Sequence, residues 1–326
     1  MPSVDKLQKE VAGLLDGNIR SLSRLITLIE STPEILASIH PKIKDAEGKG
    51  HIIGITGPPG AGKSTLSSAL ATLIRESGRT VAILACDPSS PFTGGSVLGD
   101  RVRMQSHYTD PGVFIRSISN RGSGGGLSNS TYGITALLDA FGFDVILLET
   151  VGVGQTELDV MKTSDTVVVV IVPESGDSIQ TMKAGLMEIA DIFVVNKCDR
   201  VGADRMVRDV RSSLQLSDDH KGALPPIIKT KADSGDGISN LLQEIDTLHR
   251  DSVFSSDFDV KRSAMRLDIL RSSALTEMEF VLDTILKRDN PENDPALVSL
   301  INEVELGQKD PITAAKALIN MIKKVK

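Results

Sequence analysis

The sequence predicts an α/β domain: a mostly parallel sheet covered by helices on both faces, with a helical arm before it and a helical extension after it. Three observations carry this. Short apolar runs alternate with helical stretches from residue 51 to 250, a glycine-rich loop joins the first run to a helix, and strand-like runs cease after about residue 255.

Residues 4–46 read as helices, with Asp16 or Asn18 as a cap for a segment bearing Ile19, Leu22, Leu25, Ile26 and Ile29, and Pro33 opening another. Strands are expected at 51–56, 80–86, 113–117, 144–149, 166–172, 191–196 and 226–230. The run TVVVVIV, Thr166 to Val172, is continuously apolar, as a strand buried on both faces should be. Val260 to Leu286 reads as a helix with Leu267, Leu270, Met278, Leu282 and Ile285 at three- to four-residue spacing, and shorter helices follow at 295–306 and 311–325. Asp310-Pro311 supplies a cap and first position for the last of them. This terminal set is too small for its own core and must pack on the preceding domain or on a second copy. Domain limits are expected at 1–48, 49–252 and 253–326.

In a sheet of this kind, ligands bind at the carboxyl ends of the strands. Gly57-Pro58-Pro59-Gly60-Ala61-Gly62-Lys63-Ser64-Thr65 lies at such an end and satisfies G-x-x-x-x-G-K-[ST], the phosphate loop of P-loop NTPases. The glycines let backbone N–H groups turn toward an anion, and the following helix adds its partial positive charge. Lys63 reaches the outer phosphates and Ser64 offers a hydroxyl to Mg²⁺. Leu66, Leu70, Leu73 and Ile74 mark the helix's apolar face.

Such loops do not separate ATP from GTP. The strand-like run DIFVV ends in Asn196-Lys197-Cys198-Asp199. The Asp199 carboxylate can accept from the ring N–H and the exocyclic amine of guanine, a donor pair adenine lacks. Lys197 would lie along the base, and Asn196 would tie the loop to its neighbours. Thr230-Lys231-Ala232, after another strand, stands where a backbone N–H for the guanine oxygen is needed. Both halves together predict a GTPase.

Between them lie the acids. The strand before Asp87 is followed by DPSSPFTGGSVLGDR, which returns Asp100 to the same edge, and a further strand ends in Glu149-Thr150-Val151-Gly152. With Ser64, these three carboxylates offer the oxygen donors Mg²⁺ requires, directly or through water. Where a Ras-like switch carries a water-orienting Gln there is Val153, with Gln155 two positions on, so intrinsic hydrolysis is expected to be slow and partner-stimulated. Glu174 to Gly185, with Gln180 and Lys183, reads as a loop that could fold over the nucleotide or touch a partner, or as the start of the next helix. Arg121 to Ser130 reads as a glycine-rich connector.

Composition excludes several alternatives. The 326-residue chain carries a net charge of −7 and, apart from Lys323-Lys324-Val325-Lys326, no dense basic block, so no nucleic-acid partner is expected. No apolar run has the length of a membrane span, and the N-terminus lacks a signal pattern, so a cytoplasmic protein without membrane association is expected. Two cysteines, Cys86 and Cys198, do not make a disulfide framework and fit a reducing compartment.

GPPGAGKST, DPSSPFTGGSVLGDR, ETVGVGQTELDV and NKCD, in this order, closely resemble the MeaB/ArgK-type GTPases, the chaperones associated with methylmalonyl-CoA mutase. The likeness extends over nearly the whole chain and fades in the C-terminal helices. It implies a homodimeric G protein that binds an adenosylcobalamin-dependent acyl-CoA mutase and uses GTP to gate cofactor loading and to protect or reactivate the mutase. It implies Mg²⁺ and GTP or GDP as ligands, with no cobalamin bound by this chain itself. Residues Gly57 to Thr65 match the phosphate loop, Asp87, Asp100 and Glu149 the Mg²⁺ region, Asn196, Lys197 and Asp199 the base reader, Thr230 to Ala232 its backbone supplement, and Gln180 and Lys183 a loop that responds to the mutase. Lys63, Glu149, Gln180 and Lys183 are the catalytic candidates. The alternative is a metallocentre-maturation GTPase, which would need a Cys- or His-based relay; the five His are scattered without ligand spacing. A small-molecule kinase conflicts with the base reader, and a signal-recognition-type GTPase would need a Met-rich or basic module.

Overall fold

In the computed structural model, the residues described are 3–87, 104, 107–119, 126–150, 161–173, 186–216, 224–286 and 294–324. They form two compact units, Met1–Ile269 and Leu270–Lys326.

The first unit contains a seven-stranded sheet: β1 His51–Thr56, β2 Val81–Asp87, β3 Val113–Ser119, β4 Val145–Thr150, β5 Thr166–Ile171, β6 Ile192–Val195 and β7 Ile227–Lys229. Their order is β3-β2-β4-β1-β5-β6-β7. Every neighbouring pair is parallel. All seven expected strands are present, with ends displaced by a residue or two. Thr80 and Asp144 drop out of β2 and β4 because their side chains bond each other's backbone, Thr80 N to Asp144 Oδ2 at 2.7 Å and Asp144 N to Thr80 Oγ1 at 3.0 Å. Asp191 leaves β6 similarly, its carboxylate accepting from Val167 N at 2.8 Å.

Helices α1 Val4–Leu15, α2 Ile19–Ser31 and α3 Leu36–Ile43 precede the sheet, with a 3₁₀ turn at Pro33–Ile35. Asn18 caps α2, its side-chain oxygen accepting from Arg20 N and Ser21 N. Then come α4 Lys63–Glu76, α5 Gly126–Phe141, the short α6 Leu186–Ile189, α7 Ala203–Leu216, α8 Ile238–Phe254 and the long α9 Asp257–Ile285. The expected connector at 121–130 is only partly one, because α5 already begins at Gly126.

Strand alternation divides the core into two layers. Ile53, Ile55, Val168, Val170 and Val194 face Leu66, Leu70 and Ile74 of α4 and Ile238, Leu241 and Ile245 of α8. Ile52, Val167, Val169, Phe193 and Val195 belong to the opposite layer, with Leu14, Leu22, Leu25, Ile26 and Ile29 of the N-terminal helices and Leu137 of α5. Each such Leu or Ile, fully buried, contributes about 1.5–3 kcal/mol, so α1 to α3 are part of this unit's stability. The rigid sheet that results fixes the loops at its carboxyl edge.

At the other end of β1, α9 is anchored by Arg262. Its guanidinium donates to Asp165 Oδ1 and Oδ2 at 2.8 and 2.7 Å and to Gly50 O at 2.8 Å, and it stacks on Phe258. Asp139 lies 3.4 Å away and itself accepts from Gly48 N and Gly50 N. In the second unit, α10 Pro295–Glu305 and α11 Pro311–Lys324 pair, burying Leu300 and Ala314. Asp310 caps α11 through Thr313 N at 2.8 Å.

Candidate functional site

The sheet order places β1 at the centre, where connections diverge to either side, and the crevice at its carboxyl end is the position ligands take in such sheets. Gly57 to Gly62 fill the turn between β1 and α4. Gly57 has φ +141°, and a Cβ there would lie 2.0 Å from the Val170 carbonyl oxygen, so only glycine lets the loop cross β5 this closely. Gly62, at φ +91°, would put a Cβ 2.4 Å from Asn196 Nδ2. The second glycine is therefore required by the base-reading loop as well as by the turn. Lys63 Nζ donates to Gly57 O at 2.7 Å and Pro58 O at 3.1 Å, which holds its ammonium over the loop.

Glu149 is brought to the same place by β4, where it is paired in register with Ile55 of β1 and Ala85 of β2. It is 2% exposed. Ser64 Oγ donates to its Oε1 at 2.5 Å, and Ser67 Oγ to its Oε2 at 3.0 Å. A buried carboxylate beside a hydroxyl at a helix N-terminus is an all-oxygen donor set, which fits Mg²⁺. Asp87 ends β2, one strand beyond Glu149. Asp100, Gln180 and Lys183 lie outside the described residues, as do Val151 to Gln155. Among the described residues, no group of three or more His, Cys, Asp and Glu is placed to hold a metal ion.

The base-reading loop follows β6. Asn196 Nδ2 donates to Ala61 O at 2.8 Å, while its Oδ1 accepts from Thr230 Oγ1 and Ala232 N, both at 3.1 Å. One buried amide thus joins the phosphate loop, the base-reading loop and the segment after β7. Lys197 takes φ +54°, a conformation that costs a non-glycine residue about 1–3 kcal/mol. It is held there by Nζ bonding to Gly60 O at 2.8 Å and by the next amide, Cys198 N, bonding to Thr230 O at 3.0 Å. Asp199 is exposed beyond it, and Lys231 pairs with Asp236 to close the third segment. Pro59 and Thr65 complete the loop without a side-chain contact that distinguishes them.

Sequence reasoning missed Ser67, although it sits three residues after Ser64 on the same helix face. It also missed a cavity of about 350 Å³ at the other end of β1, lined by Tyr132, Asp139, Arg262, Met265 and Arg266 among others. That cavity lies away from both nucleotide loops.

The fold and these two loops define a P-loop GTPase. The profile of the methylmalonyl Co-A mutase-associated GTPase MeaB family matches residues 22–286, and the chain belongs to that family. It is 52% identical to a putative GTPase of Pyrococcus horikoshii over 248 residues, 75% of this chain and 77% of the relative. It is 35% identical to a probable GTPase of Mycobacterium bovis over 329 residues, 98% of this chain and 95% of the relative. Among solved structures, an LAO/AO transport system kinase superposes with a TM-score of 0.73 at 25% identity, covering 99% of each chain. No helix among the described residues is long and apolar enough to cross a membrane.

Proposed function

We propose that this GTPase is the chaperone of an adenosylcobalamin-dependent acyl-CoA mutase, methylmalonyl-CoA mutase or a close relative, and that its nucleotide cycle gates cofactor loading and protects or reactivates the client. The observation that carries this reading is membership, over residues 22–286, of a family described as associated with methylmalonyl Co-A mutase. Cobalamin belongs to the client in this reading.

The residue roles follow from chemistry. Backbone N–H groups of Gly60 to Thr65 receive the β- and γ-phosphates, with Lys63 neutralising the charge that develops on them. Ser64 and Glu149, with Asp87 and Asp100, would hold Mg²⁺, which would supply positive charge against the phosphates. Asp199 reads guanine, Lys197 lies along the base, and Asn196 with Thr230 to Ala232 fixes the reader. Gln180 and Lys183 respond to the client. Residues 253–326 form the dimerisation region of a cytoplasmic homodimer.

The site has no Gln at position 153 to orient water, so the client completes or orders the hydrolytic arrangement. Single-turnover GTP hydrolysis by the purified protein, with and without a cobalamin-dependent acyl-CoA mutase and with ATP as control, tests this. A GTP-selective acceleration is expected; fast unaided turnover, or none with any such mutase, would remove the chaperone reading while leaving the GTPase.

A further inference from the structure

Ser64, Glu149 and Ser67 form one continuous hydrogen-bonded unit. Ser64 Oγ and Ser67 Oγ approach different oxygens of the same carboxylate, at 2.5 and 3.0 Å. All three side chains are buried: Ser67 is 0%, Glu149 2% and Ser64 7% exposed. A hydroxyl that gives its proton to a carboxylate keeps its lone pairs, so the Ser64 bond to Glu149 turns the oxygen's acceptor side away from Glu149. The direction Ser64 presents therefore depends on where Glu149 is held.

Ser67 has one proton and two acceptors within reach, Glu149 Oε2 and Lys63 O, each at 3.0 Å. The carbonyl belongs to Ser67's own helix, whereas the carboxylate comes from another element. The contact to Glu149 is therefore the one that couples the hydroxyl to the cation site. It also links α4 to β4 across 82 residues of sequence.

We propose that Ser67 is a positioning residue of the cation site: it holds Glu149 through Oε2 and so sets the orientation of Oε1 and of the Ser64 hydroxyl bonded to it. This rests on the reading of Ser64 and Glu149 as Mg²⁺ residues. Removing the partners that orient metal ligands typically lowers metal affinity about 10–100-fold.

The test is the Mg²⁺ concentration that half-maximally slows release of a fluorescent GDP analogue, with release in EDTA as each variant's own baseline. Ser67→Ala removes the donor, and Ser67→Cys replaces it with a weaker donor on a larger atom. Both are expected to raise the half-maximal Mg²⁺ concentration, on the order of tenfold for Ser67→Ala. A wild-type Mg²⁺ requirement in both, or in the cysteine variant alone, would overturn the proposal. Should the alanine variant not fold, as judged by thermal melting, the cysteine variant decides. Ser64→Ala separates the two levels: if it abolishes the Mg²⁺ effect while the Ser67 variants behave as wild type, the positioning role fails alone. If Ser64→Ala keeps the wild-type requirement, the cation-site reading itself fails.

Discussion

Asn196 donates its side-chain amide to the carbonyl of Ala61 at 2.8 Å, joining the base-reading loop to the phosphate loop across 135 residues of sequence. The same amide accepts from Thr230 and Ala232, so a single side chain fixes three segments that converge from β1, β6 and β7. Asn196→Ala would leave Ala61 O, Thr230 Oγ1 and Ala232 N without this partner, and each buried group left unsatisfied costs about 1–3 kcal/mol. The variant is expected to lose GTP affinity by about ten- to a hundredfold, since 1.4 kcal/mol is tenfold. Calorimetric titration with GTP and GDP checks it, and an unchanged affinity would separate the reader's geometry from this bond.

Gly57 meets the backbone of β5 rather than a side chain, so relief by rotamer change is not open to it. Gly57→Ala sets a Cβ 2.0 Å from Val170 O. At φ +141°, where an L side chain is already strained, the substitution is expected to cost at least about 2 kcal/mol and to eliminate nucleotide binding. Denaturant melts with and without GDP read both effects; a variant that still gains stability from GDP would contradict the loop's role.

Arg262, beside Lys261, ties α9 to the amino end of the sheet. Its side chain is 12% exposed and its partners Asp165 and Asp139 are 3% and 5% exposed. Arg262→Ala would leave two carboxylates buried without their cation, a loss of about 3–5 kcal/mol for a broken buried pair. Urea unfolding should show it. GTP affinity should stay close to wild type, because these residues lie at the far end of β1 from the phosphate loop.

His51 stacks on His249 with ring centroids 3.9 Å apart. Burial holds the His51 imidazole well below the usual histidine range, and the His249 ring and the Arg262 guanidinium push it the same way. Well above pH about 6.5 the ring is neutral both folded and unfolded, so it contributes no pH dependence there. As pH falls below that value the unfolded chain takes the proton first. Stability is then lost, by up to about 1.4 kcal/mol per pH unit for His51, until the depressed folded value is reached. Thermal melts from pH 7.5 to 5.5 should show this slope, and His51→Gln should reduce it, the remainder coming from His249, which burial also holds below the usual histidine range.

The fold was legible in the sequence because its strands are short, apolar and bounded by loops with strong local chemistry. The run at 166–172 is a clear case, being buried throughout as a central parallel strand requires. Strand ends were less legible because side chains take over the ladder there: Thr80, Asp144 and Asp191 have ordinary strand-flanking sequences, and only the fold brings their partners near. The phosphate loop and the NKCD loop announce themselves locally. Arg262 does not, since Asp165 and Asp139 lie 97 and 123 residues away from it in sequence. Ser67 was hidden beyond the motif, in a stretch of α4 that reads as ordinary packing around Leu66 and Leu70.

The phosphate loop and Asn196-Lys197-Cys198-Asp199 together form one guanine-specific site, and competition of GTP, ATP and xanthosine triphosphate for the wild type and Asp199→Asn tests it. Xanthine presents a carbonyl where guanine has its exocyclic amine, so an asparagine amide can donate where the aspartate could only accept. The wild type should prefer GTP over both competitors, and Asp199→Asn should lose GTP and gain xanthosine triphosphate. Equal binding of ATP and GTP by the wild type, or unchanged GTP preference in Asp199→Asn, would show that these loops do not read guanine.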